Sequence, residues 1–179
     1  MEPLSVQRVR VLVDYYGLCL QDADDAWLPA MFPEGFAAGD FGTERPGRID
    51  LTSAGHTQHV VVTAEVWEHE PPLLGGPWDK TATARIECRS GTLRLWSMGG
   101  PGLEDIALPS APATWNARIF CTGRQEAAAA SRDGVPDGVE QYVVQFWPVE
   151  GVLAGGGGGV SRLGLTPLGG CGQPVIWTR

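Results

Sequence analysis

The run GHTQHVVVTAEVWEHE, residues Gly55–Glu70, limits what this chain can fold into more than any other stretch. Its β-branched side chains are stiff at χ1 and suit a pleated surface, so the backbone there extends rather than coils. Val60, Val62, Ala64 and Val66 recur at a period of two, while Val61, Thr63, Glu65 and Trp67 fill the alternate positions. One face is wholly apolar, which predicts a strand in the middle of a sheet with that face on the core.

The rest of the chain repeats the pattern in shorter pieces. Val9, Val11, Val13 and Tyr15 alternate with Arg8, Arg10, Leu12, Asp14 and Tyr16, making Val6–Leu20 a strand or a strand pair bent at Gly17. Asp22–Pro33 sets acidic residues before an apolar turn, read either as a short helix capped by Asp22 or Asp24 or as an ordered loop. Glycine-rich Glu34–Gly47 predicts a loop leading into a strand at Arg48–Ser53. Prolines and glycines between Pro71 and Pro77 break the pattern, after which Thr81–Arg89, the Ser90-Gly91 pair and Thr92–Met98 read as a tight hairpin. A loop at Gly99–Gly102, strands at Ile106–Leu108 and Trp115–Thr122, a polar surface loop over Gly123–Gly138 with one helical turn at most, and a strand at Glu140–Val149 complete the pattern.

Short strands with frequent glycine and proline and no long helical period predict an all-β domain over residues 1–150. The expected form is an antiparallel two-sheet β-sandwich of about eight strands. A glycine-rich C-terminal tail follows over residues 151–179, with Gly155–Gly159 as a flexible joint. The hydrophobic share of 43% is enough to build one core, so the chain is expected to fold alone.

The formal net charge of −8 disfavours nucleic acid and anionic membranes as partners and favours a basic protein. No stretch reaches the roughly 18 apolar residues of a membrane span, and the start reads as a strand rather than a signal peptide, so a cytoplasmic location is expected. Cys19, Cys88, Cys121 and Cys171 form no CxxC pair and read as buried free thiols.

Enzyme motifs are sparse. His56, His59 and Glu65 are reminiscent of a cupin-like metal strand, but ligands converging from one strand should differ by an even number, and His56 and His59 differ by three. No GxSxG elbow occurs, and the glycine run lacks the lysine and Ser/Thr of a phosphate loop. Hence no catalytic residue, metal or cofactor is expected. Seven tryptophans with Glu65, Glu68 and Glu70 leave an alternative, a carbohydrate-binding or sugar-hydrolysing β-sandwich, which requires an exposed row of aromatic rings.

In order, Tyr15–Asp22 (YYGLCLQD), Trp67 with Pro71-Pro72 and Trp78-Asp79, Gly91-x-Leu93, Leu108-Pro109 and Tyr142-x-x-Gln145-Phe146-Trp147-Pro148 form a series of landmarks. Over about residues 6–149 this series resembles the competence protein J family, the DNA-entry nuclease inhibitor family, and related immunity-like bacterial β-sandwich proteins. After Leu108-Pro109 the chain departs from the glycine and aromatic-basic strand of those proteins. The resemblance implies a small acidic protein, without chemistry of its own, that blocks a basic nuclease or toxin. The candidate partner-binding surface is Asp22, Asp24, Asp25, Glu65, Glu68 and Glu70, whose carboxylates would steer a basic partner. Glu68 and Glu70 are expected to be exposed at a sheet end.

Overall fold

The structure, a computed structural model, describes residues 2–30 and 40–149. The expected tail over 151–179, with Gly155–Gly159 and Cys171, lies outside the described residues. The described chain is all-β in architecture: β1 (Ser5–Val13), β2 (Gly17–Asp22), β3 (Gly42–Arg45), β4 (Arg48–Thr52), β5 (Gln58–Val66), β6 (Lys80–Cys88), β7 (Thr92–Ser97), β8 (Gly100–Ala107), β9 (Ala113–Thr122) and β10 (Asp137–Pro148), with one helix, α1 (Arg124–Ala130), between β9 and β10. The strands form two five-stranded sheets, ordered β1-β5-β10-β9-β6 and β3-β4-β2-β7-β8.

Both sheets feed a single core. On β5, Val60, Val62, Ala64 and Val66 are fully buried, as their period requires, and each valine contributes about 1.5–3 kcal/mol relative to exposure. Val9, Val11 and Val13 from β1, Ile119 from β9, and Val144 and Phe146 from β10 meet Leu18, Leu20, Ile49, Leu51, Leu93 and Leu95 of the second sheet. β5 is an interior strand, although β10 holds the central place in its sheet.

Three expectations are corrected, and one open alternative is decided. The two sheets are not uniformly antiparallel, because β10 runs parallel to β5 with Tyr142 opposite Val62 and Phe146 opposite Val66. The residues expected as loops contribute structure: β3 lies within 34–47, β8 begins at Gly100, and α1 occupies part of 123–138. Of the two readings of Asp22–Pro33, the described residues take the short helix, a single 3-10 turn at Asp25–Trp27 capped by Asp24, whose carboxylate accepts from the Ala26 amide, while residues 31–33 lie outside the described residues. The clearest hairpin of the sequence is not a hairpin. β6 pairs with β9 in the first sheet and β7 with β2 and β8 in the second, so Ser90-Gly91 is a corner at which the chain changes sheets. Period-two alternation around a two-residue turn looks the same whether the next strand folds back or crosses over.

The sheet edges are tied together by side chains. The Gln7 amide exchanges two hydrogen bonds with the backbone of Ala107 (3.2 and 3.0 Å), and Glu104 accepts from the Arg10 amide at 3.1 Å, which joins β1 to β8. Across the opposite seam Glu44 of β3 accepts from the Arg85 amide of β6 at 2.7 Å. Edge amides occupied in this way are not free to recruit another strand.

Candidate functional site

The outer face of the first sheet is crossed by the connection from β5 to β6, residues 67–79. This strap must pass over β10 and β9 because those strands lie between its ends. Two side chains pin it. Arg118 of β9, nearly buried, donates to the Pro71 carbonyl at 3.0 Å and forms an ion pair with Glu70, while its guanidinium lies 4.9 Å from the Trp147 ring centre. Trp78 packs on Phe120 with centroids 5.1 Å apart and donates to the Leu74 carbonyl at 3.1 Å. The strap covers Gln145 and Phe120, which are buried on a face that strand alternation alone would expose.

Glu65 is half-buried beside this strap, and its Oε2 accepts from Trp67 Nε1 (3.1 Å) and Gln145 Nε2 (3.0 Å). Glu68 and Glu70 are exposed, and Glu68 has no hydrogen bond or ion pair among the described residues. Next to Glu70 lies an open groove of about 330 Å³, lined by Glu44, Thr83, Arg85, Asn116, Arg118 and Trp147.

Asp22, Asp24 and Asp25 belong to the other sheet, at the end of β2. Asp24 and Asp25 are exposed, but Asp22 is fully buried. Its carboxylate accepts from the amides of Arg89 (2.7 Å), Ser90 (3.2 Å) and Asp24 (3.2 Å), from Trp27 Nε1 (3.3 Å) and from the Ser90 hydroxyl. Burial alone would raise the Asp22 carboxyl, but these hydrogen bonds outweigh it and hold the pKa below the ordinary carboxylate range. Asp22 therefore holds the corner between β6 and β7, and no partner can reach it. No hydrogen bond or ion pair among the described residues joins the Asp22–Asp25 group to the Glu65–Glu70 group.

A second buried carboxylate had no distinguishing mark in the sequence. Glu140, fully buried at the start of β10, accepts from Arg124 Nη1 (2.8 Å), Tyr142 OH (2.9 Å), Ser53 Oγ (2.8 Å), the Ala54 amide (3.1 Å) and Gln58 Nε2. Arg124 is placed there because Gly123 has φ +80°, and a Cβ at Gly123 would sit 2.1 Å from the Val139 carbonyl oxygen, so only glycine turns the chain into α1 at that point. Burial and then the Glu140 charge push the Tyr142 hydroxyl and the Cys121 thiol upward. Burial pushes Cys19 to about 12 and also raises Cys88. At neutral pH these three thiols are protonated and buried, which suits packing rather than nucleophilic attack.

His56 lies against the rings of Tyr15 and Tyr16, and no group of three His, Cys, Asp or Glu side chains among the described residues is placed to hold a metal ion. Trp67 and Trp115 are buried, and Trp27, Trp78, Trp96 and Trp147 are half-buried, so no exposed row of tryptophan rings exists among the described residues. No helix among them is long and apolar enough to cross a membrane.

These features define an all-β protein of two five-stranded sheets around one core, with a pinned strap across one outer face and its buried carboxylates spent on structure. No family model matches the chain. No curated protein matches it in sequence. Among solved structures it shares its fold with ComJ from Bacillus subtilis, inhibitor of the DNA degrading activity of NucA, at a TM-score of 0.55 and 11% identity, over 83% of this chain and 98% of ComJ. It is also similar to the protein described as crocagin biosynthetic gene J, at a TM-score of 0.52 and 14% identity, over 81% of this chain and 99% of that one.

Proposed function

We propose that this protein is a non-catalytic, immunity-type inhibitor, built as a two-sheet sandwich, that binds and blocks a basic nuclease in the cytoplasm. The observation that carries this reading is the fold shared with ComJ over nearly the whole of that nuclease inhibitor. The net charge of −8 supports a basic target, since an acidic surface raises the encounter rate with a positively charged protein. Asp24, Asp25, Glu68 and Glu70 are the members of the candidate surface that solvent reaches freely, and they would face the positive groove in which a nuclease holds DNA phosphates.

The direct test mixes the purified full chain with a basic bacterial nuclease and follows DNA cleavage. Near-stoichiometric suppression is expected, with an association rate that falls as salt is raised past the Debye regime of about 0.1 M. A nuclease that cleaves undiminished in excess inhibitor would sink the reading. Glu68→Lys is the clean surface variant, expected to slow association severalfold and to leave stability within about 0.5 kcal/mol. Glu70→Lys is not equivalent, because it sets a cation against the nearly buried Arg118 and loosens the strap. Equal association rates for wild type and Glu68→Lys at low salt would show that the strap carboxylates do not steer the partner.

A further inference from the structure

We infer that the Tyr15–Tyr16 turn is an anchor for arginine or lysine side chains of a basic protein partner. Tyr15 and Tyr16 form the two-residue connection between the bridged residues Asp14 and Gly17, where the chain passes from β1 to β2. Both have left-handed backbones, with φ of 51° and 63°. Such turns favour Asn-Gly, since bulky side chains are strained at positive φ. The backbone work here needs no tyrosine: the Tyr16 amide donates to the His56 carbonyl at 3.0 Å and its carbonyl accepts from the Ser53 amide at 2.9 Å. Nor does the core use the rings, which remain 56% and 41% exposed. Two strained residues whose side chains serve neither turn nor core are left for contact with something else.

The chain's own surface shows what that contact is. Arg89 lies over the Trp27 ring at 3.8 Å, Arg118 over Trp147 at 4.9 Å and Arg124 over Phe41 at 5.2 Å. Half-buried rings in this molecule are thus capped repeatedly by a guanidinium. Tyr15 and Tyr16 meet only His56, at centroid distances of 4.9 and 5.1 Å, and have no such cap among the described residues. Their open faces fit cations supplied from outside, and the net charge of −8 draws a basic protein toward them. Tyrosine is also among the residues that most often dominate binding at interfaces.

The turn is a second surface, separate from the strap. It adjoins the start of β5 through His56, whereas Glu68 and Glu70 follow its end, and a nine-residue strand spans about 26 Å. The partner's identity as a nuclease rests on the inhibitor reading; the recognition of cations by the turn does not.

The experiment compares the isotope-labelled full chain with Tyr15→Asn/Tyr16→Gly, using nona-arginine and nona-glutamate peptides as probes and NMR as readout. Nona-arginine is expected to shift the Tyr15, Tyr16 and His56 ring resonances saturably, and nona-glutamate to leave them in place. The double variant should melt no lower than wild type, because it relieves the strained turn, while binding nona-arginine about tenfold more weakly and inhibiting the nuclease less. Shifts confined to Glu68–Glu70, unchanged peptide affinity in the variant, or a variant that melts lower would each overturn the inference. If wild type inhibits no nuclease, the functional reading fails and the peptide comparison still decides the turn.

Discussion

Glu140→Ala is expected to lose about 3–5 kcal/mol of stability, a large part of the roughly 5–15 kcal/mol that holds a domain of this size together. The carboxylate is fully buried and joins three separate pieces of chain: the β4–β5 connection through Ser53 and the Ala54 amide, the start of α1 through Arg124, and β10 itself through Tyr142. Removing it leaves the Arg124 guanidinium without its anion and the Ala54 amide without an acceptor, and unmet donors in a low-dielectric interior account for most of the loss. Urea denaturation measures the effect as a lower midpoint at an unchanged slope. Arg124→Ala in the Glu140→Ala background should then cost less than Arg124→Ala alone, because the two groups share one interaction. A loss below about 1 kcal/mol, or strict additivity, would mean that Glu140 is a tolerated passenger rather than the point at which these elements are joined.

Asp22→Ala should cost on the order of 3 kcal/mol, and its effect should be read against pH. The Asp22 carboxyl has a folded-state pKa below its unfolded value of about 3.9. A depressed pKa contributes stability that is present above the unfolded pKa and is lost as pH falls through the folded pKa. The difference in Tm between wild type and Asp22→Ala should accordingly be full at neutral pH and shrink below about pH 4 as the wild-type carboxylate takes up its proton. A gap that stays constant down to pH 2 would show that shape at the corner, and not charge, is what Asp22 supplies. Because Asp22 receives the amides of Arg89 and Ser90, its loss should also loosen the β6–β7 corner, which amide hydrogen exchange would report as lost protection at Ser90.

The candidate surface was only partly legible in the sequence, and the reason differs residue by residue. Asp22, Asp24 and Asp25 are chemically alike and nearly adjacent, yet one is buried and the others are exposed, because β2 ends at Asp22 beneath the corner made by residues nearly seventy positions later. Glu68 was placed in solvent by the end of the apolar run, and it is there. Glu70 follows the same logic, but Arg118 reaches it across 48 positions, and no local pattern announces that contact. Arg118 itself reads as an ordinary outward-facing residue of a half-buried strand; only the strap that crosses it makes it nearly buried. The tyrosine pair is visible as a string of letters, whereas its left-handed backbone and the lack of a capping cation among the described residues are not.

By itself the sequence determined that the chain is built of strands and that Val60, Val62, Ala64 and Val66 of β5 enter the core. That information is local: a period of two, repeated over a few residues, sorts apolar groups to one face wherever the strand ends up. Only the tertiary structure decided which strand lies beside which, that β10 runs parallel to β5, and that Ser90-Gly91 changes sheets instead of closing a hairpin. Strands with the same alternation are nearly interchangeable as partners, so the choice falls to groups that have one tolerable arrangement each. Asp22 must find the corner amides, Glu140 its arginine and tyrosine, and Arg118 the carbonyl and carboxylate of the strap, since a buried charge left unpaired costs more than any one strand pairing returns.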